Sequence, residues 1–155
     1  MMYPSPDPRP EAIRAQGVEI LSGLVLRGLS LSLLAQRAHW AVRGHGFKPF
    51  HGLFGEVYAD LGAAVDRLAE RAATLGAVDP MGGALSVAVV ALPSCDGLAL
   101  CGLLATEVDA FAARLSDAYE RVEEMRLVAD ANTVQSITED VQKLGWMLRS
   151  HVVAG

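Results

Sequence analysis

Two histidines and two carboxylates are the residues of this sequence whose types and spacing could bind a metal ion. His39 lies near the end of one predicted helix and His51 near the start of the next, so the short link between them lets the two imidazoles approach each other. Asp66 and Glu70 are four residues apart and therefore share one face of the second helix. Two imidazoles with two carboxylates suit iron, zinc or manganese, whereas calcium prefers oxygen ligands and softer metals prefer thiolates.

Each of these pairs also has a simpler interpretation. A histidine on a helix is more often a packed or solvated residue than a metal ligand. The two carboxylates could form ordinary ion pairs with Arg67 and Arg71, their neighbours in the sequence. The spacing alone leaves these alternatives open.

The distance between the two pairs constrains any shared site. His51 and Asp66 are fifteen residues apart, which is about 22 Å along a helix that rises 1.5 Å per residue. Both pairs of one chain therefore cannot bind the same ion. A twofold axis across the middle of the second helix would bring the carboxylates of one copy beside the imidazoles of another, and a dimer would then contain two equivalent sites.

The middle of the second helix carries a face of small residues, Gly55, Ala59, Gly62 and Ala63. Glycine inside a helix costs about 1 kcal/mol relative to alanine, so a packing benefit should offset that cost. Close approach of a partner helix is one such benefit. Tight packing within a single subunit is the alternative.

The elements that would position these residues are four long helices. Proline at the first helical position and glycine after the last one are common, which favours a start near Pro10 and an end at Gly76. Ser94 is a candidate N-cap for the third helix, and Asp130 or Asn132 for the fourth. The predicted helices run from about 10 to 43, from 49 to 75, from 94 to 127 and from about 130 to 153.

The fold class that follows is all-α, an antiparallel four-helix bundle formed by a single domain that spans residues 1–155. An apolar run at 85–92 predicts a short extra helix in the connector between the second and third long helices. Residues 1–9, which are rich in proline, predict an extended N-terminal tail.

The composition narrows the classes of function. Of the 155 residues, 52% are apolar and only 6% aromatic, and the formal net charge is −5. General affinity for DNA requires clustered Lys and Arg, and the sequence has no such cluster, so we expect DNA binding to be absent. The surplus of Ala, Leu and Val favours helices packed on helices and a surface partly covered by partner subunits.

The N-terminal sequence MMYPSPDPRP lacks the apolar core of a signal peptide, so we expect a cytoplasmic location. The stretch from Met81 to Ala105 approaches the length of a membrane span, but Gly82 and Pro93 interrupt it, and we expect no membrane segment. Cys95 and Cys101 suggest neither a disulfide nor a metal site, and we expect both to be buried thiols.

The segment HWAVRGHGFKPFHGLFGEVYADLGAAVDRLAERAATLG closely resembles the ferroxidase segment of the Dps family of miniferritins. A weaker similarity lies near the end of the chain, in the sequence WMLRSH at residues 146–151. The matching elements are His39-Trp40, Phe47, His51, Leu53-Phe54, Asp66, Ala69-Glu70-Arg71 and Leu75-Gly76.

The resemblance implies a ferritin-like fold and a dodecameric hollow shell. Its sites would lie at twofold interfaces, with His39 and His51 from one chain and Asp66 and Glu70 from the partner. It also implies oxidation of ferrous iron by hydrogen peroxide or oxygen, storage of the ferric product and protection against oxidative damage. Trp40 corresponds to the family's aromatic residue near the iron, although a role in packing is equally open.

The sequence departs from the family at two places. Gly55 stands where the family usually has an acidic iron ligand, which predicts weakened oxidation. Glu56 could replace that ligand only if the helix or the side chain adjusts, because a helix turns by about 100° per residue. The family's ion-entry pores are lined by acidic residues near the start of the last helix, and Asp130 is the candidate here, in a segment whose spacing departs from the family's.

Two other functions remain open from the sequence. The first is a catalytically weak or DNA-associated scaffold shell, which Gly55 favours and the acidic charge balance disfavours. The second is a zinc- or manganese-binding helical bundle, although such proteins commonly carry carboxylate-x-x-His motifs and none is present.

Overall fold

The structure is a computed structural model that describes residues 2–81 and 90–152. The helices in these ranges are α1 (Glu11–Ala41), α2 (Phe47–Leu75), α3 (Gly97–Glu124) and α4 (Val128–Val152). No strand occurs in the described part of the chain, which agrees with the predicted all-α class. Each helix has buried apolar residues at spacings of three and four, which forms the inward stripe that a bundle requires.

Neighbouring helices of the bundle run antiparallel. α1 packs along α2, and α3 packs along α4; the two pairs meet through α1 with α3 and α2 with α4. The main-chain N–H of Arg43, just after α1, donates to the carbonyl of Cys95, just before α3. The connector between α2 and α3 therefore crosses the length of the bundle, as it does in ferritin-like folds. Phe54, Leu61, Phe111 and Ile137 are among the fully buried side chains of the core.

The helix ends follow from local chemistry, and two predicted caps are wrong. Gly46 and Gly76 flank α2 with φ of 80° and 109°, a conformation that glycine adopts without strain. The N-cap of α3 is Asp96 rather than Ser94, because the Asp96 carboxylate accepts from the N–H of Ala99 at 2.9 Å. α4 already begins at Val128, so Asp130 lies inside its first turn.

The predicted short helix at 85–92 falls mainly on residues 82–89, which lie outside the described ranges. Residues 90–92 are described and are not helical. The Arg37 guanidinium donates to the carbonyl of Val90 at 2.8 Å, so this end of the connector lies against α1.

The N-terminal residues lie across the end of the bundle where α2 finishes. The N–H of Tyr3 donates to the carbonyl of Gly76 at 2.8 Å, and the Ser5 hydroxyl donates to the carbonyl of Thr74 at 2.7 Å. These bonds satisfy carbonyls that a helix end leaves without partners. Arg9 pairs with Asp7, which lowers the pKa of the Asp7 carboxyl to about 2, chiefly through their hydrogen bond.

One cysteine lies as expected and the other does not. Cys101 is buried on α3, donates to the carbonyl of Leu148 at 3.2 Å, and has its thiol pKa raised to about 11 by burial. Cys95 is exposed and precedes α3, so the expectation that both thiols are buried is wrong.

Among the described helices, α1 is long and apolar enough, by length and composition, to cross a membrane. The core helix of a bundle meets the same criteria, and Leu21, Leu31 and Ala35 of α1 are buried against the other helices. Its apolar character is explained by its place in the core.

Candidate metal-binding site

The two imidazoles that the sequence predicts to approach each other are in contact. The His39 and His51 rings stack with their centroids 3.7 Å apart and their planes 23° from parallel. The tight turn between α1 and α2, which includes Gly44 and Gly46 at positive φ, allows the end of one helix to meet the start of the next.

Hydrogen bonds fix which ring nitrogen of each imidazole is available. The Nδ1 atom of His39 lies 2.7 Å from the carbonyl oxygen of His51, and the Nδ1 atom of His51 lies 3.0 Å from the carbonyl oxygen of His39. A carbonyl oxygen can only accept, so each Nδ1 carries a proton and donates. In the neutral imidazole, each Nε2 then keeps its lone pair, the state in which histidine binds a metal.

Three residues of α2 surround the stacked pair. A Cβ atom built on Gly55 would lie 3.3 Å from both Cε1 and Nδ1 of His39, so the glycine lets the ring approach the helix closely. Tyr58 meets the His39 ring edge to face at 5.6 Å, and Phe47 stacks on His51 at 4.9 Å. An open groove beside His51 is also lined by Trp40, whose surface is 58% exposed.

Asp66 and Glu70 lie on the same helix toward its other end, and both are exposed. Throughout the described ranges, no hydrogen bond or ion pair to either carboxylate is found. Arg71 instead pairs with Asp130 at 2.9 Å, and Arg67 with Asp140 at 3.4 Å. The simpler interpretation, in which the neighbouring arginines neutralise these carboxylates, is therefore not what the structure contains.

The helix surface between the two pairs is open. Ala59, Gly62 and Ala63 are exposed, and a Cβ atom built on Gly62 would meet nothing within 4 Å. Within the described residues of a single chain, no group of three or more His, Cys, Asp or Glu side chains could hold a metal ion. The imidazole pair and the carboxylate pair of one chain therefore lie apart, with an exposed stretch of α2 between them.

The other two candidate acidic residues lie elsewhere. Glu56 lines a groove between α2 and α4 together with Asp60 and Asp140, and neither His39 nor His51 lines that groove. Asp130 is fully buried in the chain, where Arg71 pairs with it. The roles of Glu56 as a substitute ligand and of Asp130 in a pore stay predictions.

Reasoning from the sequence missed two features of this site. The reciprocal carbonyl bonds involve main-chain atoms, which leave no signal in residue types. The contact of Tyr58 with the His39 ring was the second feature, and its signal is the spacing of seven residues from His51, which places Tyr58 and His51 on one helix face.

Comparisons with known proteins agree with this fold. A family model described as a ferritin-like domain matches residues 19–154. An uncharacterized low temperature-induced protein of Nostoc sp. is 29% identical over 128 residues, which cover 79% of this chain and 72% of the relative.

Solved structures of other proteins have a similar fold. Dps from Microbacterium arborescens in the high iron form superposes with a TM-score of 0.80 at 25% identity, covering 96% of this chain and 97% of that one. The Dps protein of Vibrio cholerae O1, described as a member of a broad superfamily of ferritin-like diiron-carboxylate proteins, superposes with a TM-score of 0.79 at 22% identity, covering 90% and 91%. The chain therefore belongs to the ferritin-like family, and its fold is similar to that of the solved Dps structures.

Proposed function

We propose that this chain is the subunit of a shell that oxidises ferrous iron and stores the ferric product, with each oxidation site shared by two copies. One observation carries the proposal: His39 and His51 keep their Nε2 atoms available at one end of a helix surface. Along the helix from His51, Asp66 is about 22 Å away and Glu70 about 28 Å away. Two antiparallel copies of α2 would bring the imidazole pair of each copy beside the carboxylate pair of the other.

The residues fit iron as a substrate. Imidazole nitrogen and carboxylate oxygen are suitable donors for ferrous iron. The two carboxylates carry negative charge, which stabilises the trivalent product more than the divalent substrate. The predicted roles are therefore that His39 and His51 bind the incoming ion and that Asp66 and Glu70 favour its oxidation.

The overall reaction balances with hydrogen peroxide as the oxidant. Two ferrous ions each give one electron, the O–O bond breaks, and two protons enter so that two water molecules form. The ferric product would be kept inside the shell, away from further peroxide. Oxygen is the other candidate oxidant.

Exposed apolar side chains near the imidazoles support a partner at this surface. Trp40 is 58% exposed and Phe47 is 41% exposed, and both line the groove beside His51. Apolar side chains of this size at one end of a helix pair are typical of surfaces that a partner covers. We propose that the partner is a second copy and that the assembly is a dodecamer in the cytoplasm.

The alternative of a catalytically weak scaffold shell has one observation in its favour, the glycine at position 55. Association of that shell with DNA has less support. The N-terminal residues are tied to the bundle through Tyr3, Ser5 and Arg9, and the net charge of −5 repels phosphate.

The test is the initial rate of ferrous iron oxidation, followed by absorbance, for the protein as it assembles and for its His51→Ala variant. We expect the variant to lose roughly 10-fold or more in rate, because removing a metal ligand costs at least as much as removing the groups that orient it. His45→Ala is the matched control, since His45 is an exposed imidazole of the α1–α2 turn. Unchanged kinetics in His51→Ala, or an equal loss in both variants, would remove His51 from the site.

A further inference from the structure

Gly55 determines how closely His39 can approach α2. The imidazole lies against the glycine, and any side chain there would begin with a Cβ atom 3.3 Å from the ring. The space beside residue 55 is therefore occupied by the His39 ring. Because residue 55 has no side chain, it supplies no carboxylate to an ion bound by the two imidazoles.

The remaining donors can be counted. Each imidazole offers only Nε2, because both Nδ1 atoms donate to main-chain carbonyls. In the shared site, the partner copy adds two carboxylates, from its residues Asp66 and Glu70. Glu56 adds none, since it lines the groove between α2 and α4.

The charge of this donor set matches one divalent ion. Two neutral imidazoles and two carboxylates carry a total charge of −2, which neutralises a single 2+ ion. Two-metal carboxylate sites in helical bundles use four carboxylates with two histidines. A second 2+ ion here would face the first at short range without compensating charge, which is strongly unfavourable where water is excluded.

We infer that each shared site of this protein binds one divalent ion rather than two, and that Gly55 is the residue that sets this number. The inference rests on the proposed function, because it counts the partner's carboxylates. Its chemical consequence is that an oxidant which takes two electrons receives the second from an iron ion outside the site.

The experiment counts ions without relying on turnover. Cobalt(II) is titrated into the assembled protein under anaerobic conditions and followed by its visible absorption bands and by calorimetry. The number of ions bound by the His39→Ala/His51→Ala double variant is subtracted, which corrects for binding elsewhere on the protein. We expect one ion per chain for the unmodified protein and a second, more weakly bound ion for Gly55→Asp, because the added carboxylate offsets part of the charge of that ion.

Gly55→Asn is the matched control, because it places the same Cβ beside the His39 ring and adds no charge. We expect it to bind one ion per chain or fewer. Two ions per chain in the unmodified protein would overturn the inference and leave the proposed function intact, whereas no ion above the double variant would overturn the proposed function itself. A Gly55→Asp variant that binds no more than Gly55→Asn would show that residue 55 does not set the number.

Discussion

Each imidazole of the candidate site donates its Nδ1 proton to a main-chain carbonyl, so only its Nε2 atom remains available to bind a ligand. The bonds join His39 and His51 reciprocally, so the turn between α1 and α2 and the orientation of both rings depend on one another. Rings held in this way meet an ion without first losing rotational freedom. The two rings are therefore already oriented within the single chain.

The buried acidic residue Asp130 leads to a prediction about stability. It is 0% exposed and pairs with Arg71, which is 24% exposed, and its Oδ2 atom has no hydrogen-bond partner within the described part of the chain. Asp130→Ala should lower the free energy of unfolding by about 3 kcal/mol, because the change leaves a largely buried guanidinium without its partner. Urea unfolding of the variant measures the loss.

Asp140→Ala is the matched control for this prediction. It breaks the Arg67–Asp140 pair, whose side chains are 41% and 64% exposed. An exposed pair contributes less than about 1 kcal/mol, so the control should lose little stability. Similar losses of stability in the two variants would show that burial does not make the Arg71–Asp130 pair more important than the exposed Arg67–Asp140 pair.

At the scale of elements, Gly28 lets α1 approach α2 and α3 closely. A Cβ atom built on Gly28 would lie 2.6 Å from Cγ2 of Val65 on α2 and 3.3 Å from Cζ of Phe111 on α3. Val65 is β-branched and Phe111 is fully buried, so neither can move aside at low cost. This contact sets how α1 lies against both helices.

Gly28→Ala should therefore destabilise the protein by about 1 to 2 kcal/mol, the cost of overpacking less the gain in helix propensity. Gly23→Ala, in the same helix, should stabilise it by up to about 1 kcal/mol, because a Cβ there meets nothing within 4 Å. Thermal unfolding of the two variants under identical conditions shows whether each substitution raises or lowers the stability. A stabilised Gly28→Ala would contradict the close approach of the three helices.

The helices were predictable from the sequence because the inward apolar stripe and the flanking Gly and Pro residues are local signals. The bounds of α2 differ from the prediction by two residues at the start, where Phe47 and Lys48 precede Pro49. The cap of α3 was placed at Ser94 instead of Asp96, since either side chain can accept from a helix N–H. Which of them does so depends on the path of the connector.

The candidate site was predictable only in part. Helix spacing placed His39 beside His51 and kept Asp66 far from both, since these are properties of one or two helices. The partners of Arg67 and Arg71 lie on α4, and the burial of Asp130 depends on how α4 packs on α2, so neighbours in the sequence could not indicate them.

At the scale of the whole molecule, the proposed metal site is complete only when two chains associate. The imidazole pair and the carboxylate pair of one chain lie apart with small exposed residues of α2 between them, so one antiparallel crossing would join each pair to its complement. The proposed chemistry therefore requires a dimer as its smallest active unit, while the shell adds storage.

The most direct test of the shared site mixes two inactive chains. A His39→Ala/His51→Ala chain and an Asp66→Ala/Glu70→Ala chain are co-expressed with different affinity tags, and assemblies that contain both are purified and assayed for ferrous iron oxidation. Random pairing would give about a quarter of the sites an intact set of ligands, so the mixed assemblies should recover roughly a quarter of the unmodified rate, while each parent stays inactive. Mixed assemblies that are no more active than their parents would contradict a site built from two chains.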